Sequence, residues 1–242
     1  MPPPTPRPLV VCLPGALLDP AQFAPQHERL APAIEVIGYD YAAATMADGS
    51  AFTIEDAARR VVARVEREPG DRRIALCGHS LGGMVALLAA CELGERLAGL
   101  MLLETSYGPA VEGWARWLVP PVRAAIAATP WGAMRGAIIR EHGRHSARAW
   151  NYLCTALPME APVQWRTVVG AALRFSGRDA LGSIRVPTLV VVGERHRWTH
   201  AQGRTMARRI PRAELRTVPE AGHIANLDAP GAVAAMMAET VR

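Results

Sequence analysis

The sequence predicts an α/β fold: a mostly parallel open sheet with helices on both faces. Three observations predict it. Short apolar runs recur with helical stretches between them, the pattern that parallel strands need for their crossovers. A serine framed by glycines, in Gly78-His79-Ser80-Leu81-Gly82-Gly83, stands between one such run and an apolar helix. A histidine follows the last run, in Gly222-His223, at the same edge of the predicted sheet.

Leu9 to Leu13 reads as the first strand and Ile34 to Asp40 as the second. Ile54 to Glu68 has helical spacing, with Ala57, Val61, Val62 and Val65 on one side and charged residues on the other. Thr53 is its expected N-cap, and Asp56 three residues later completes a capping-box pattern. Ile74 to Cys77 is the next strand, followed by a helix to about Leu93 and a strand from Ala98 to Leu103. The alternation then stops. From Tyr107 to Asp179 the periodicity is helical and rich in tryptophan, which reads as a helical cap (107–179) inserted in a single domain spanning 1–242. Trp114, Trp117, Trp131, Trp150 and Trp165 are candidates for a wall facing the serine, against the commoner role of tryptophan in packing a core. The strand-helix rhythm resumes with a strand ending at Gly193, a helix from Ala201 to Ile210, a strand from Glu214 to Val218 and a helix after Pro230. Asp228 is the expected cap of that last helix.

Composition narrows the function. Half of the 242 residues are hydrophobic, enough to bury the core of one large domain. The formal net charge of +5 comes mainly from scattered arginines, with no basic block or aromatic-interleaved motif, so neither a nucleic-acid nor a membrane partner is expected. Cys12, Cys77, Cys91 and Cys154 lack CxxC or metal-ligand spacing and read as small buried residues or free thiols. Met1 to Pro8 lacks the apolar core of a signal peptide and reads as a short extended leader; with no long apolar stretch elsewhere, a cytoplasmic protein is expected. The oligomeric state is left open.

The glycine-framed serine carries the chemistry. Glycines two residues either side of Ser80 suit a turn tight enough that other side chains would clash, and such a turn exposes the hydroxyl beside a helix N-terminus. Serine is a weak nucleophile at neutral pH and needs a base, for which histidine has the suitable pKa. Of seven histidines, His223 lies in the loop after the last predicted strand and is the candidate base. His79 is expected to point away from the nucleophile's face, and His27, His142 and His145 read as surface or cap residues.

On the elbow Gly78 to Gly82, the Gly222-His223 loop and the early turn Leu13-Pro14-Gly15-Ala16, the chain resembles the α/β-hydrolase superfamily over nearly its whole length. The resemblance implies the α/β-hydrolase fold and an oxyanion hole from two backbone amides, here those of Ala16 and Leu81. Pro14 stands where relatives usually have histidine. Relatives also commonly place an aspartate three residues after the glycine that ends the penultimate strand; here Gly193-Glu194-Arg195-His196 puts His196 there. An imidazole cannot orient and stabilise His223 as a carboxylate would. Glu104, at the end of the strand after the elbow helix, is the preferred acid, because some relatives, including certain haloalkane dehalogenases, carry theirs at that position. Glu194 is the alternative acid, and a dyad without one, or another residue as the acid, remains open.

The expected activity is that of a carboxylesterase-like serine hydrolase, acting by acyl transfer on a small ester or lactone with an apolar acyl group. Carbon–carbon bond hydrolysis of a diketone is an alternative, as is a non-catalytic member that binds a small molecule. The chemistry calls for no cofactor and no metal.

Overall fold

In the computed structural model, which describes residues 6–47, 49, 51–108, 117, 119–160 and 165–242, six strands form one parallel sheet. They are β1 (Leu9–Leu13), β2 (Glu35–Gly38), β3 (Ile74–His79), β4 (Gly99–Leu103), β5 (Thr188–Gly193) and β6 (Ala213–Val218), ordered β2-β1-β3-β4-β5-β6. The register pairs Leu13 with Gly78 and His79 with Leu103, so the carboxyl ends of β1, β3 and β4 lie side by side.

β1, β3 and β4 are buried along their whole length, which is why their sequences are continuous apolar runs. The pleat sends alternate side chains to two separate cores. Leu9, Val11, Ile74, Leu76 and Leu100 face α3 (Ile54–Glu66), α4 (Leu81–Leu93) and Met206 of α9 (His200–Arg209). Val10, Cys12, Ala75, Cys77 and Met101 face α1 (Ala24–Leu30) and α11 (Pro230–Glu239). Thr53 caps α3 as its sequence implies, its hydroxyl accepting the Asp56 amide at 3.0 Å. α1, and α2 (Tyr41–Met46), are too short to carry a long apolar period and are not legible in the sequence.

Between β4 and β5 lie α5 (Val119–Ala128), α6 (Trp131–Gly143), α7 (Ala147–Ala156) and α8 (Trp165–Arg174). Trp131, Ile139, Leu153 and Trp165 pack with Ile224 and Leu227, so a third core joins these helices to the segment after His223. Of the tryptophans in question, two take the commoner role of packing a core. Trp131 and Trp165 pack on each other with ring centroids 5.6 Å apart, whereas Trp117 and Trp150 are 70% and 41% exposed. Trp114 lies outside the described residues. Helical spacing assigns a residue to a helix, but not to the face that meets the sheet.

Asp228, in the short helix α10 (Ala225–Asp228), does not cap the last helix as expected. Ala229 occupies the cap position without a side-chain bond, and the Asp228 carboxylate turns back to accept the Gly222 amide at 2.8 Å and the Ser146 hydroxyl at 2.7 Å. Two donors in reach outcompete the exposed first turn of α11. Among the described residues, no helix is long and apolar enough to cross a membrane.

Candidate active site

The carboxyl ends of β3, β4, β5 and β6 bring Ser80, Glu104, His196 and His223 together, because parallel strands with helical crossovers bring their following loops to one edge. Ser80 follows β3 with φ 52° and ψ −117°, a left-handed conformation rare for a side chain-bearing residue. Two glycines make the turn possible. A Cβ on Gly78 would lie 2.3 Å from the Gly82 carbonyl oxygen, and one on Gly82 would lie 2.2 Å from that of Leu13. This last approach seats the start of α4 directly on the Leu13-Pro14 backbone, bringing the Leu81 and Ala16 segments together.

Ser80 Oγ donates to His223 Nε2 at 3.1 Å. On the other side of the ring, His223 Nδ1 donates to Glu104 Oε2 at 3.3 Å. Glu104 is fully buried, with φ 47° at the end of β4, so its backbone too is held in a strained region beside the site. Its Oε1 accepts the Gly193 amide, and its Oε2 also accepts from the Thr199 hydroxyl at 3.0 Å and from His196 Nδ1 at 2.5 Å. His196 therefore bonds to the same carboxylate oxygen as His223. Glu194 is elsewhere: its carboxylate accepts the Glu220 amide at 2.9 Å across an exposed turn. The structure thus brings Ser80, His223 and Glu104 into one hydrogen-bonded chain.

One histidine departs from its expected place. His79 does not turn away from the serine side. It is fully buried, its ring 4.9 Å from that of His223, and its Nε2 donates to the His223 carbonyl at 2.8 Å. The tight turn swings residue 79 toward the base loop, where a carbonyl waits for its donor. His142, at the end of α6, is a cap residue that reaches in, its ring 4.6 Å from that of His223. Burial, and then the His142 and His196 imidazoles, hold His223 well below the usual histidine range. Burial pushes His79 down to about 3 and His142 to about 4, so both rings are neutral near pH 7. His145 packs against Gly222, leaving no room there for a side chain.

A buried amide network, not legible in the sequence, joins the β1 turn to the base loop. Gln22 Oε1 accepts the Gly15 amide at 3.1 Å, Gln22 Nε2 donates to Asn226 Oδ1 at 3.1 Å, and Gln26 Nε2 donates to the Asn226 carbonyl at 2.8 Å. Amides on exposed-looking helical positions give no periodic signal, so only their joint burial reveals them.

Ser80, Ala16, His79, His142 and His223 line a cavity of about 150 Å³ whose other walls include Leu17, Ile138, Leu153 and Val169. A second cavity, about 280 Å³, shares the Gly15–Leu18 turn and adds Tyr41, Leu81 and Trp165. A serine bonded to an imidazole, itself bonded to a carboxylate, beside an apolar cavity can pass the serine proton to the ring as the oxygen attacks a carbonyl.

Among known proteins, the chain is 28% identical over 234 residues to the polyketide synthase ThaQ of Burkholderia thailandensis, covering 89% of this chain and 11% of that protein. The chain therefore spans about a ninth of the length of that curated relative. Its fold is similar to that of an enol-lactonase from Burkholderia xenovorans LB400, with TM-score 0.74, 19% identity, and 97% and 91% of the two chains covered. It is also similar to a thioesterase domain from the curacin biosynthetic pathway, with TM-score 0.69, 16% identity, and 97% and 92% covered. The model of the alpha/beta hydrolase family matches residues 10–236, and the chain belongs to that family.

Proposed function

We propose that this chain hydrolyses a small ester or lactone by acyl transfer, with Ser80 as nucleophile, His223 as base and Glu104 as the acid that orients the base. The observation that carries this reading is the unbroken chain from Ser80 Oγ through His223 to Glu104 Oε2, at 3.1 and 3.3 Å. His223 Nε2 takes the Ser80 proton as Oγ attacks the carbonyl carbon. The Ala16 and Leu81 amides hold the oxyanion; Leu81 is the first residue of α4, so its N–H has no acceptor within the helix. The imidazolium then protonates the leaving oxygen, and the acyl group stays on Ser80. Water repeats the sequence: His223 takes its proton, the hydroxyl oxygen attacks the acyl carbon, and the proton returns to Ser80 Oγ. Glu104 keeps the proton of the neutral ring on Nδ1 and stabilises the imidazolium. The aliphatic walls at Ile138, Leu153 and Val169 favour an apolar acyl group.

A thioester is the second reading. The likeness to a polyketide synthase segment and to a thioesterase domain favours it, and the same residues serve, with sulfur as the leaving atom. The adjoining 280 Å³ cavity offers room for the remainder of either substrate.

A fluorophosphonate probe tests the reading. The expected result is one label per chain, lost in Ser80→Ala and strongly slowed in His223→Ala. A folded protein that takes no label overturns the enzyme reading in favour of a binding protein. A panel of p-nitrophenyl esters, lactones, acyl thioesters and diketones then separates the substrate classes.

A further inference from the structure

Glu104 after β4, His196 after β5 and His223 after β6 converge on one point, with one ligand-capable atom from each within 4.8 Å of the others. Acyl transfer needs one imidazole on its carboxylate, and the second, His196, has no part in that chemistry. Its ring is 4.5 Å from that of His223, and the Nδ1 atoms of both rings face the same oxygen, Glu104 Oε2.

We propose that Glu104, His196 and His223 form a reversible, inhibitory binding site for zinc. Two imidazole nitrogens and a carboxylate oxygen are a donor set that zinc takes readily, leaving its fourth position to water. Donors about 2.0 to 2.1 Å from a tetrahedral ion stand about 3.3 Å apart. The Glu104–His223 pair already has that spacing, at 3.3 Å. The Glu104–His196 pair, at 2.5 Å, has to open by about 0.8 Å to reach it. His196 lies in a turn between exposed Arg195 and Arg197, with 11% of its own side chain exposed. Beside the two ligand rings stands His142, its buried Nδ1 without a hydrogen-bond partner among the described residues.

The inhibition follows from imidazole chemistry. A neutral ring has one N–H. When zinc takes the Nδ1 lone pair, that proton moves to Nε2, so the ring presents a donor to Ser80 Oγ and has no lone pair left to take the serine proton. The bonds formed are Zn–Nδ1 at His223 and His196 and Zn–O at Glu104; the bonds given up are the hydrogen bonds of both rings to Glu104 Oε2, and the His196 proton likewise moves to its Nε2. Binding itself is independent of the proposed function, whereas inhibition rests on His223 being the base.

The test is calorimetric titration of chelator-stripped protein with zinc sulfate near neutral pH, alongside hydrolysis of a p-nitrophenyl ester at the same zinc concentrations. One zinc per chain is expected, with a nitrogen- and oxygen-only coordination shell by X-ray absorption. Ser80→Ala, whose change lies on the Nε2 side, binds zinc as the wild type does. A folded His196→Gln binds at least about tenfold more weakly. Wild-type turnover falls along the binding curve. Absence of stoichiometric binding at micromolar zinc, or undiminished binding by His196→Gln, overturns the site. Binding with undiminished turnover overturns the inhibition and the assignment of His223 as base, while the metal site stands.

Discussion

Glu104 Oε2 lies 3.3 Å from His223 Nδ1, although the two residues are 119 positions apart in the chain. Glu104 follows β4, next to the nucleophile strand, and His223 follows the edge strand β6, with β5 between them in the sheet. The contact therefore depends on the long loop after β6 folding back across the end of β5. In Glu104→Gln the amide preserves shape but no longer stabilises the imidazolium or enforces the ring tautomer. Turnover of a p-nitrophenyl ester is expected to fall by about 10³- to 10⁴-fold. Glu194→Gln, which affects only the Glu220 turn, is expected to stay within about threefold. Equal effects in steady-state assays would remove Glu104 from its role.

The loop carrying His223 is braced by Asp228, which accepts the Gly222 amide and the Ser146 hydroxyl. Asp228→Ala leaves both donors without their acceptor and frees the base to wander. Fluorophosphonate labelling of Ser80 is expected to slow at least about tenfold, because small misplacements at a reacting centre are costly. Asp228→Asn retains an acceptor oxygen and is expected to recover part of the rate. Labelling unaffected by Asp228→Ala would show that the loop holds its shape without the brace.

Gly82 meets the Leu13 carbonyl so closely that a Cβ there would lie 2.2 Å from its oxygen. Gly82→Ala is expected to push α4 off the β1 turn, at a cost of about 1–3 kcal/mol. For a chain of this size that lowers Tm by several degrees, roughly 2–4 °C per kcal/mol. Differential scanning fluorimetry reads this directly, and an unchanged Tm would mean that the turn adapts freely.

Acid should destabilise the protein well before its carboxylates titrate. His79 and His142 are buried and pushed down to about 3 and 4, whereas the unfolded chain's histidines protonate near 6.5. Between those values the unfolded state binds more protons, so stability rises with pH through this window and is lost as pH falls from about 6.5 toward 4. Urea midpoints measured from pH 7.5 to 4.5 are expected to decline, with the decline reduced in a folded His142→Gln. A flat profile would contradict the burial of neutral imidazoles.

The cavity beside Ser80 is small, about 150 Å³, and Ile138 forms part of its wall. Ile138→Trp is expected to abolish hydrolysis of longer acyl esters while sparing acetyl esters, read as kcat/KM across a chain-length series. A parallel loss at every length would place the acyl group elsewhere.

By itself the sequence determined the strands, the elbow and the loop of His223, because these are local. Apolar runs mark buried parallel strands, two glycines around Ser80 mark a turn without space for side chains, and Gly222-His223 follows the last strand. It also pointed to Glu104, with Glu194 as the alternative and a dyad or another residue left open, since His196 stood at the usual position. Only the tertiary structure shows which of these carboxylates stands beside His223: Glu104 does, and Glu194 bonds the Glu220 amide instead. The direction of a side chain at a strand end is set by what packs around it, and here the Gly193 amide and Thr199 hydroxyl hold the Glu104 carboxylate in place. The turning of His79 and His142 toward His223, the amide network from Gln22 to Asn226, and the exposure of Trp117 and Trp150 were out of reach for the same reason. Periodicity reports which residues share a face, and packing between elements distant in the chain decides what that face meets.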